Sequence, residues 1–401
     1  MTRVIRDPEV LETLLDTVRR FVRERLVPSE DLVAENDAIP EDIVHEMRDM
    51  GLFGLTIPES YGGLGFTLEE EVRVAFELGQ TSPAFRSLIG TNNGIGSQGL
   101  ILDGTEPQKQ RYLPRLASGE VVASFALTEP DVGSDAGSVR TTARKCSQGY
   151  LLQGRKRFIT NAPEAGLFTV LARTNPSVPG TRGLSLFLVE AGTNGLSLGK
   201  PDRKMGQQGA HTCDVIFDEC LVPAENLLGG VEGRGFSTAM RVLDRGRLHL
   251  AAVCVGIAER LLRECLRYAL EREQFGKPIA EFQLVQAMLA ESRMEMFAAR
   301  SMVTVTAQRR DAGASVGTDA ACCKLFASEM VGRIADRAVQ IHGGAGYMRD
   351  SCVERFYRDV RLFRIYEGTS EIQKLVIARD LIREANGSAS VSTPPVTRLG
   401  G

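Results

Sequence analysis

Apolar residues in the first part of the chain repeat at helical spacing. Between Pro8 and about Ser118 they recur three or four positions apart, most clearly in Val10–Val22 and Glu69–Leu78. This spacing places apolar side chains on one face of an α-helix. The pattern predicts an N-terminal α-helical domain over residues 1–118.

The pattern changes between Gly119 and about Asn226, where the apolar segments become short and rich in residues that favour β-strands. Glycine and proline separate these segments, as expected for turns between strands. The clearest predicted strands are Val121–Phe125, Phe168–Leu171, Leu184–Val189 and Asp214–Phe217. We therefore predict a middle β domain over residues 119–232.

Helical periodicity returns after Gly235 and continues to about Ala385. Long helices are predicted at 236–271, 282–310 and 317–342, and a last helix begins near Ser370. Their lengths are typical of a helical bundle, which would occupy residues 233–385. The remaining segment, 386–401, is rich in Ser, Pro and Gly and is predicted to be a disordered tail.

Composition excludes several classes of protein. The 48 basic and 51 acidic residues among 401 give a net charge of -3, which provides no basic surface for nucleic acid. No apolar run is long enough to cross a bilayer and no signal peptide is recognisable, so we expect a cytoplasmic protein without a membrane partner. The eight cysteines form no Cys-x-x-Cys pair and have no histidine at zinc-ligand spacing, so no metal site is predicted.

The stretch Tyr366-Glu367-Gly368-Thr369 lies just ahead of the last predicted helix. A glutamate on such a turn can be presented to a buried cleft as a base, and the glycine lets the backbone approach a ligand closely. The same stretch also fits an ordinary helix start, with Thr369 or Ser370 as the N-cap. Both interpretations stay open from these residues alone.

Two stretches of the β domain favour a planar ligand that carries phosphate. Gly133 and Ser134 follow a predicted strand and could offer an N–H group and a hydroxyl to a phosphate. Phe158 and Thr160 are two residues apart, so both would lie on one face of a strand, where a ring could stack and a hydroxyl could bond. A phenylalanine packed in the core and followed by a turn is the alternative.

Six phrases of the chain, in this order, resemble the acyl-CoA dehydrogenase family, and the likeness extends from about Leu11 to Arg383. They are Thr128-Glu129-Pro130 with Gly133-Ser134-Asp135, Phe158-Ile159-Thr160-Asn161, Val222-Pro223-Ala224-Glu225-Asn226, Arg272-Glu273-Gln274-Phe275-Gly276-Lys277-Pro278-Ile279, Gln340-Ile341-His342-Gly343-Gly344-Ala345-Gly346-Tyr347 and Tyr366-Glu367-Gly368-Thr369. The resemblance implies an α+β fold with an N-terminal helical domain, a middle β-barrel or sandwich domain and a C-terminal four-helix bundle. It also implies FAD as the cofactor, held between these domains and across a subunit contact.

The resemblance assigns cofactor contacts to two sets of residues. The first set would hold the FAD of the same chain and consists of Phe125, Leu127, Thr128, Gly133, Ser134, Phe158, Thr160 and Thr369. The second would reach the FAD of a neighbouring subunit and consists of Arg272, Phe275, Gln283, Gln340 and Gly344. A homotetramer built as a pair of dimers is implied. Phe158 departs from the family pattern, because many relatives have Trp there and this chain has no Trp.

The activity implied is FAD-dependent α,β-dehydrogenation of an acyl-CoA thioester to the trans-2-enoyl-CoA, as in fatty acid β-oxidation. Glu367 would be the base, flavin N5 the hydride acceptor and electron-transfer flavoprotein the partner that takes the electrons. In some branches of the family the base lies instead on the first helix of the C-terminal domain. The residues implied in substrate binding are Ser134, Asp244, Arg247, Tyr366 and Gly368, although Asp244 and Arg247 also fit a surface ion pair three positions apart.

Other functions remain open. Phe85-Arg86-Ser87 resembles a stretch of glutaryl-CoA dehydrogenases in which the Arg recognises a distal carboxylate, so a dicarboxylyl-CoA substrate is one hypothesis, and an Arg86 paired elsewhere in the protein is the alternative. A flavin-dependent acyl-CoA oxidase or nitroalkane oxidase that uses O₂ is a second hypothesis, although nitroalkane oxidases usually have Asp as the base. A non-catalytic scaffold is a third.

Overall fold

A computed structural model describes residues 7–178 and 180–391. Twelve α-helices and nine β-strands lie within these residues. The helices are α1 Pro8–Phe21, α2 Glu30–Asn36, α3 Glu41–Asp49, α4 Leu68–Leu78, α5 Pro83–Asn93, α6 Gln98–Asp103, α7 Glu106–Ala117, α8 Gly235–Glu271, α9 Gln283–Asp311, α10 Gly317–His342, α11 Cys352–Val360 and α12 Ser370–Val391. The strands are β1 Val122–Ala126, β2 Thr142–Cys146, β3 Gly149–Thr160, β4 Ala165–Arg173, β5 Leu184–Glu190, β6 Leu196–Leu198, β7 Thr212–Pro223, β8 Glu273–Gln274 and β9 Lys277–Pro278.

The N-terminal part is helical, as its periodicity predicts. Asp7 caps α1 by accepting hydrogen bonds from two backbone N–H groups of its first turn. Leu11, Leu15 and Val18 face the core from this helix and are at most 2% exposed. Val10 is 60% exposed, because it lies on the opposite face of the helix.

The middle part is one curled seven-stranded sheet, and the predicted change to β-structure is confirmed. The main path of the sheet runs β1-β4-β2-β3-β7-β6, and β5 pairs with β4 off this path. β4 pairs in parallel with β1 and antiparallel with β5, so β1 and β5 both have β4 as a neighbour. The register of β3 against β7 shifts between Lys156 and Ile159, which marks a bulge in the strand.

The C-terminal part is a bundle in which α8, α9, α10 and α12 are the four longest helices. The predicted helices at 236–271, 282–310 and 317–342 agree with α8, α9 and α10 within one residue at each end. α8 also packs closely against α4, since a Cβ added at Gly256 would lie 2.3 Å from the Phe76 carbonyl oxygen. The shared core of these helices therefore joins the bundle to the N-terminal part.

The last helix is longer than predicted. α12 continues to Val391, so residues 386–391 are helical and not the start of a disordered tail. A helix that has begun gains one hydrogen bond for each residue added, and that gain outweighs the loop-like composition here. Residues 392–401, the rest of the predicted tail, lie outside the described residues. None of the helices within 7–178 and 180–391 is long and apolar enough to cross a membrane.

Candidate active site

A cavity of about 230 Å³ lies where the three parts of the chain meet. α4 and α5 form one wall, α8 forms a second, and the ends of β1 and β3 with the loop after β1 form a third. The turn before α12 closes it. Each part of the chain therefore supplies side chains to a single site.

Glu367 lies in this closing turn, in a left-handed backbone conformation with φ 53°, and Gly368 follows with φ 86°. The carbonyl groups of both residues accept hydrogen bonds from Gln373 Nε2, at 3.2 and 3.0 Å. Lys324 Nζ donates a further bond of 2.7 Å to the Gly368 carbonyl. The Thr369 hydroxyl accepts from a backbone N–H of α12, so Thr369 is the N-cap and not Ser370.

The carboxylate of Glu367 points into the cavity wall and is only 11% exposed. Its Oε1 is 4.0 Å from Arg86 Nη2, and its Oε2 is buried without a hydrogen-bond partner among the described residues. A Cβ added at Gly246 of α8 would lie 2.7 Å from Oε2, so the absent side chain leaves room for the carboxylate. An oxygen of this kind is available to accept a proton.

A buried hydrogen-bond network reaches this carboxylate from α4. Glu71 accepts from His249 Nδ1 at 2.8 Å and from Arg245 Nε at 2.9 Å. His249 Nε2 accepts from Arg86 Nε at 2.8 Å, which fixes the histidine as the Nδ1–H tautomer. Burial and the positive charge of Arg86 hold the pKa of His249 below its ordinary value. Burial opposes ionisation of Glu71, but Arg245 and His249 outweigh it and hold the pKa of Glu71 below its usual range.

A buried ion pair supports the loop after β1. Lys156 Nζ donates to the Leu127 carbonyl at 3.0 Å and to Glu129 Oε1 at 2.9 Å. The Glu129 carboxylate also accepts from the backbone N–H groups of Arg140 and Thr141, each at 2.8 Å. Burial lowers the pKa of Lys156 to about 8, although Glu129 opposes this shift. Through the bond to the Leu127 carbonyl, the pair fixes a part of the loop that lines the cavity.

Phe158 is 59% exposed and lies at the cavity, so the alternative of a packed core phenylalanine is wrong. Thr160 lines the same cavity, as the two-residue spacing predicts. The backbone reaches this arrangement differently from a regular strand, because Phe158 has φ 58° and lies in the bulge. Sequence alternation alone does not reveal such a bulge.

Most residues that the sequence assigns to one site do meet at this cavity. Those that line it are Phe125, Leu127, Thr128, Gly133, Ser134, Phe158, Thr160, Arg86, Arg247, Tyr366, Glu367 and Gly368. Asp244 does not line it but holds Arg247, whose Nη1 donates to Asp244 Oδ1 at 2.6 Å. The ion pair predicted three positions apart therefore exists, and its arginine is also part of the cavity.

The five residues expected to reach a neighbouring subunit lie elsewhere. Arg272, Phe275, Gln283, Gln340 and Gly344 are exposed and occupy the end of the bundle where α8 and α10 finish and α9 begins. The stacking of Tyr268 on His342, with ring centroids 4.3 Å apart, joins the ends of α8 and α10 there. Along α8, Gly246 and Arg272 are separated by roughly 40 Å. The two sets therefore cannot serve one small ligand in the same copy of the chain.

Sequence reasoning missed four titratable residues that lie buried around the cavity. Glu71 follows two other glutamates, and Lys156 stands between two arginines, so both look like parts of solvated charge runs. His249 and Lys324 interrupt apolar helical patterns, and that interruption is the only signal in the sequence. Their burial depends on partners far away along the chain.

This fold and site match three domain models of one enzyme family. The acyl-CoA dehydrogenase N-terminal domain matches residues 8–120, the middle domain residues 124–220 and the C-terminal domain residues 233–382. The chain belongs to the acyl-CoA dehydrogenase family and is an oxidoreductase.

Similar proteins extend over nearly the whole chain. An acyl-CoA dehydrogenase of Bacillus subtilis is 42% identical over 91% of this chain and 96% of its own length. A subunit of the caffeyl-CoA reductase–Etf complex of Acetobacterium woodii is also 42% identical, over 88% of this chain and 93% of its own. The solved butyryl-CoA dehydrogenase of Megasphaera elsdenii is 34% identical, with a TM-score of 0.90 over 96% of this chain and 99% of that one.

Members of this family are FAD-dependent flavoproteins, and FAD is the cofactor of this chain. The residues present fit such a ligand. The Phe158 ring is exposed at the cavity edge, where a planar ring system can stack on it. A Cβ added at Gly133 would meet nothing within 4 Å, so the loop leaves space beside the hydroxyls of Thr128 and Ser134.

The Lys156–Glu129 pair gives the first prediction. Replacing Lys156 with Met leaves the Glu129 carboxylate buried without its cation, and we expect the free energy of unfolding to fall by about 3–5 kcal/mol. Urea unfolding at pH 7 measures this loss. Adding Glu129→Gln should restore most of it, and a double variant no more stable than Lys156→Met would contradict the explanation.

The same pair predicts a dependence on pH. In the folded protein Lys156 loses its proton at about pH 8, below its ordinary value of 10.5. Between these values the unfolded chain binds more protons, so this residue's contribution to the free energy of unfolding rises with pH. The advantage of the wild type over Lys156→Met should therefore grow from pH 8 towards pH 10.5, and an advantage that shrinks would refute the shift.

Proposed function

We propose that this enzyme oxidises a saturated acyl-CoA thioester to its trans-2-enoyl-CoA, with Glu367 as the base. The observation that carries the proposal is Glu367, which lines the cavity and whose buried Oε2 has no hydrogen-bond partner among the described residues. A carboxylate held this way can take the weakly acidic α-proton of a thioester. FAD, when bound, accepts the hydride from the β-carbon.

The backbone of Glu367 supplies a second element of the proposed reaction. Its N–H group forms no hydrogen bond within the described residues, because the turn around it is left-handed. A free N–H beside the base can stabilise the negative charge that develops on the thioester carbonyl oxygen as the α-proton leaves. Tyr366 and Gly368 flank it in the cavity wall, where they would contact the thioester.

Glu367→Gln tests the base directly. The amide cannot accept the α-proton, so we expect FAD to be retained while the rate of flavin bleaching by an acyl-CoA falls by about 10²–10⁴-fold. Absorbance of the flavin is followed anaerobically after mixing with saturated acyl-CoAs of several lengths. Glu371→Gln is the matched control, since Glu371 is exposed in the first turn of α12.

The same assay separates the competing functions. Undiminished bleaching in Glu367→Gln would refute the proposed base. Rapid formation of H₂O₂ in air by the wild type would favour the oxidase that uses O₂. A purified protein without flavin would favour the scaffold.

We propose electron-transfer flavoprotein as the electron acceptor and fatty acid β-oxidation as the setting. Support for the acceptor comes from the relative that is named as a subunit of a complex with Etf. The family's acyl-CoA dehydrogenases support an acyl-CoA substrate.

We also propose that a second copy of the chain completes each FAD site, in a homotetramer built from two dimers. The support is the distance of roughly 40 Å along α8 between the cavity and Arg272, together with the 94% exposure of the Phe275 ring. Apolar side chains exposed on α9 and α12 give further surface for association. They include Leu284, Met294, Phe297, Leu375, Leu381 and Ile382.

Phe275→Glu tests this arrangement. A charge at the tip of the β8–β9 hairpin should lower both the molar mass in solution and the amount of FAD retained per chain, because it disturbs a contact made by two copies. Light scattering and flavin absorbance measure the two quantities. Val10→Glu changes another exposed apolar residue and should alter neither. If Phe275→Glu keeps both mass and FAD, this hairpin does not complete the site.

Arg86 supports a second candidate substrate, a dicarboxylyl-CoA. Its Nε is bonded to His249, but neither Nη group forms a hydrogen bond within the described residues, although the side chain lines the cavity. A distal carboxylate could accept from them. Glu367, 4.0 Å away, already supplies one negative charge, which supports the alternative of an arginine paired within the protein.

Arg86→Ala distinguishes these alternatives through a ratio of rates. If Arg86 recognises a carboxylate, the variant should lose about 10–10²-fold more kcat/KM with glutaryl-CoA than with hexanoyl-CoA. Any effect through Glu367 would lower kcat/KM equally for both substrates, so it would cancel in the ratio. Ser87→Ala, an uncharged change in the same wall, should leave the ratio unchanged. An unchanged ratio in Arg86→Ala excludes the carboxylate hypothesis.

A further inference from the structure

The turn that carries Glu367 requires support from outside itself. Two consecutive residues, Glu367 and Gly368, have positive φ values of 53° and 86°. For a glutamate this conformation is unfavourable, because its Cβ crowds the following carbonyl group. The turn therefore persists only because neighbouring groups hold it.

Two side chains bond the carbonyl groups of this turn. Gln373 Nε2 reaches both carbonyls, and Lys324 Nζ reaches that of Gly368 at 2.7 Å. The amide of Gln373 alone therefore gives each carbonyl one partner. A hydrogen bond is not by itself a reason to bury a lysine here as well.

Lys324 lies near the start of α10 and is completely buried. Moving an ammonium group out of water is costly, and a neutral donor would satisfy the same carbonyl without that cost. Lys324 does not line the cavity, so it does not contact the substrate. What it adds to the bond from Gln373 is a positive charge beneath the turn.

We infer that Lys324 is a positioning residue for the proposed base, which fixes the Glu367–Gly368 turn and places a positive charge beneath it. The inference rests on the proposed function of Glu367. A positive charge near a carboxylate favours its ionised form. Burial lowers the pKa of Lys324, and the charge of Glu367 is the main influence that opposes this shift, so the two groups interact.

Other charged and titratable groups face the same turn and must stay constant in a test. They are Arg86 on α5, Arg247, His249 and Cys254 on α8, Glu329 on α10, Glu371 on α12, and Tyr366 in the turn itself. Arg86 is the other cation close to the carboxylate. Changing Lys324 alone leaves Arg86 in place, so the effect of Arg86 is the same in every protein compared.

Two substitutions separate the effect of Lys324 on the position of the turn from the effect of its positive charge. Lys324→Met keeps the unbranched stem of the side chain but removes both the donor and the charge. Lys324→Gln removes the charge and offers an amide donor to the Gly368 carbonyl from a side chain one bond shorter. The full chain loaded with FAD is assayed with a saturated acyl-CoA, and kcat is measured as a function of pH.

For Lys324→Met we expect the plateau of kcat to fall by about 10–10²-fold, because a small displacement of a reacting group costs this much. Its acid limb should move to higher pH by at least about half a unit. Lys324→Gln should show the same movement of the acid limb with a plateau closer to the wild type. KM and the amount of bound FAD should change little in either variant.

Ser328→Ala and Gln373→Met are the controls. Ser328 is buried one turn further along α10 and bonds only its own helix, so its variant should change neither quantity. Gln373→Met removes the other donor to the turn while keeping the charge, and should lower the plateau without moving the acid limb. This pattern distinguishes the charge of Lys324 from general disturbance of the turn.

An acid limb that stays in place in both Lys324 variants would overturn the inference, as would a movement of equal size in Ser328→Ala. If Lys324→Met does not fold, Lys324→Gln decides: a shifted limb supports the inference and an unshifted one overturns it. Glu367→Gln is measured in the same series. If that variant stays active, the proposed base is wrong. If it is inactive while the Lys324 variants behave as wild type, only the present inference fails.

Discussion

The site depends on one constraint, which is that the Glu367 carboxylate must stay out of water without being neutralised by a close ion pair. Its Oε2 has no hydrogen-bond partner among the described residues, and its nearest cation, Arg86, is 4.0 Å from Oε1. A direct contact would hold the carboxylate more firmly, but it would occupy the oxygens that the proposed reaction needs free. The surrounding structure therefore places cations near this carboxylate and fixes them through other partners.

Each part of the chain contributes to that arrangement. α4 supplies Glu71, which balances Arg245 and orients His249, and His249 in turn fixes Arg86 through its neutral ring. The sheet supplies Lys156, which holds the loop on the opposite side of the cavity. Every one of these charged groups has a buried partner, because an unpaired charge at such depth would destabilise the fold. The network thus serves stability and positioning together.

The sequence predicts the helices and strands well, because α1, α8 and β5 bury one face or both and their periodicity shows it. Local phrases that carry the family likeness also identify the first set of residues, all of which except Thr369 line the cavity. The sequence does not predict the buried polar residues that hold the site in place. Lys156 pairs with Glu129, 27 positions away, Lys324 with Gly368, 44 away, and His249 with Glu71, 178 away. The local pattern gives no sign of the burial of Lys156 and Glu71 and only an interrupted apolar pattern for His249 and Lys324, since tertiary contact decides their burial.

The position of Gly246 shows how strongly the Glu367 carboxylate constrains its surroundings. A side chain at this position of α8 would place its Cβ 2.7 Å from Glu367 Oε2, closer than any relaxed contact permits. The same small volume can therefore hold a carboxylate that comes from the turn or one that comes from α8, but not both. Glycine at position 246 of α8 and glutamate at position 367 of the turn therefore depend on each other, and the left-handed backbone of Glu367 belongs to the same arrangement. The bonds from Lys324 and Gln373 support that left-handed backbone, and a residue in a regular helix would need no such support.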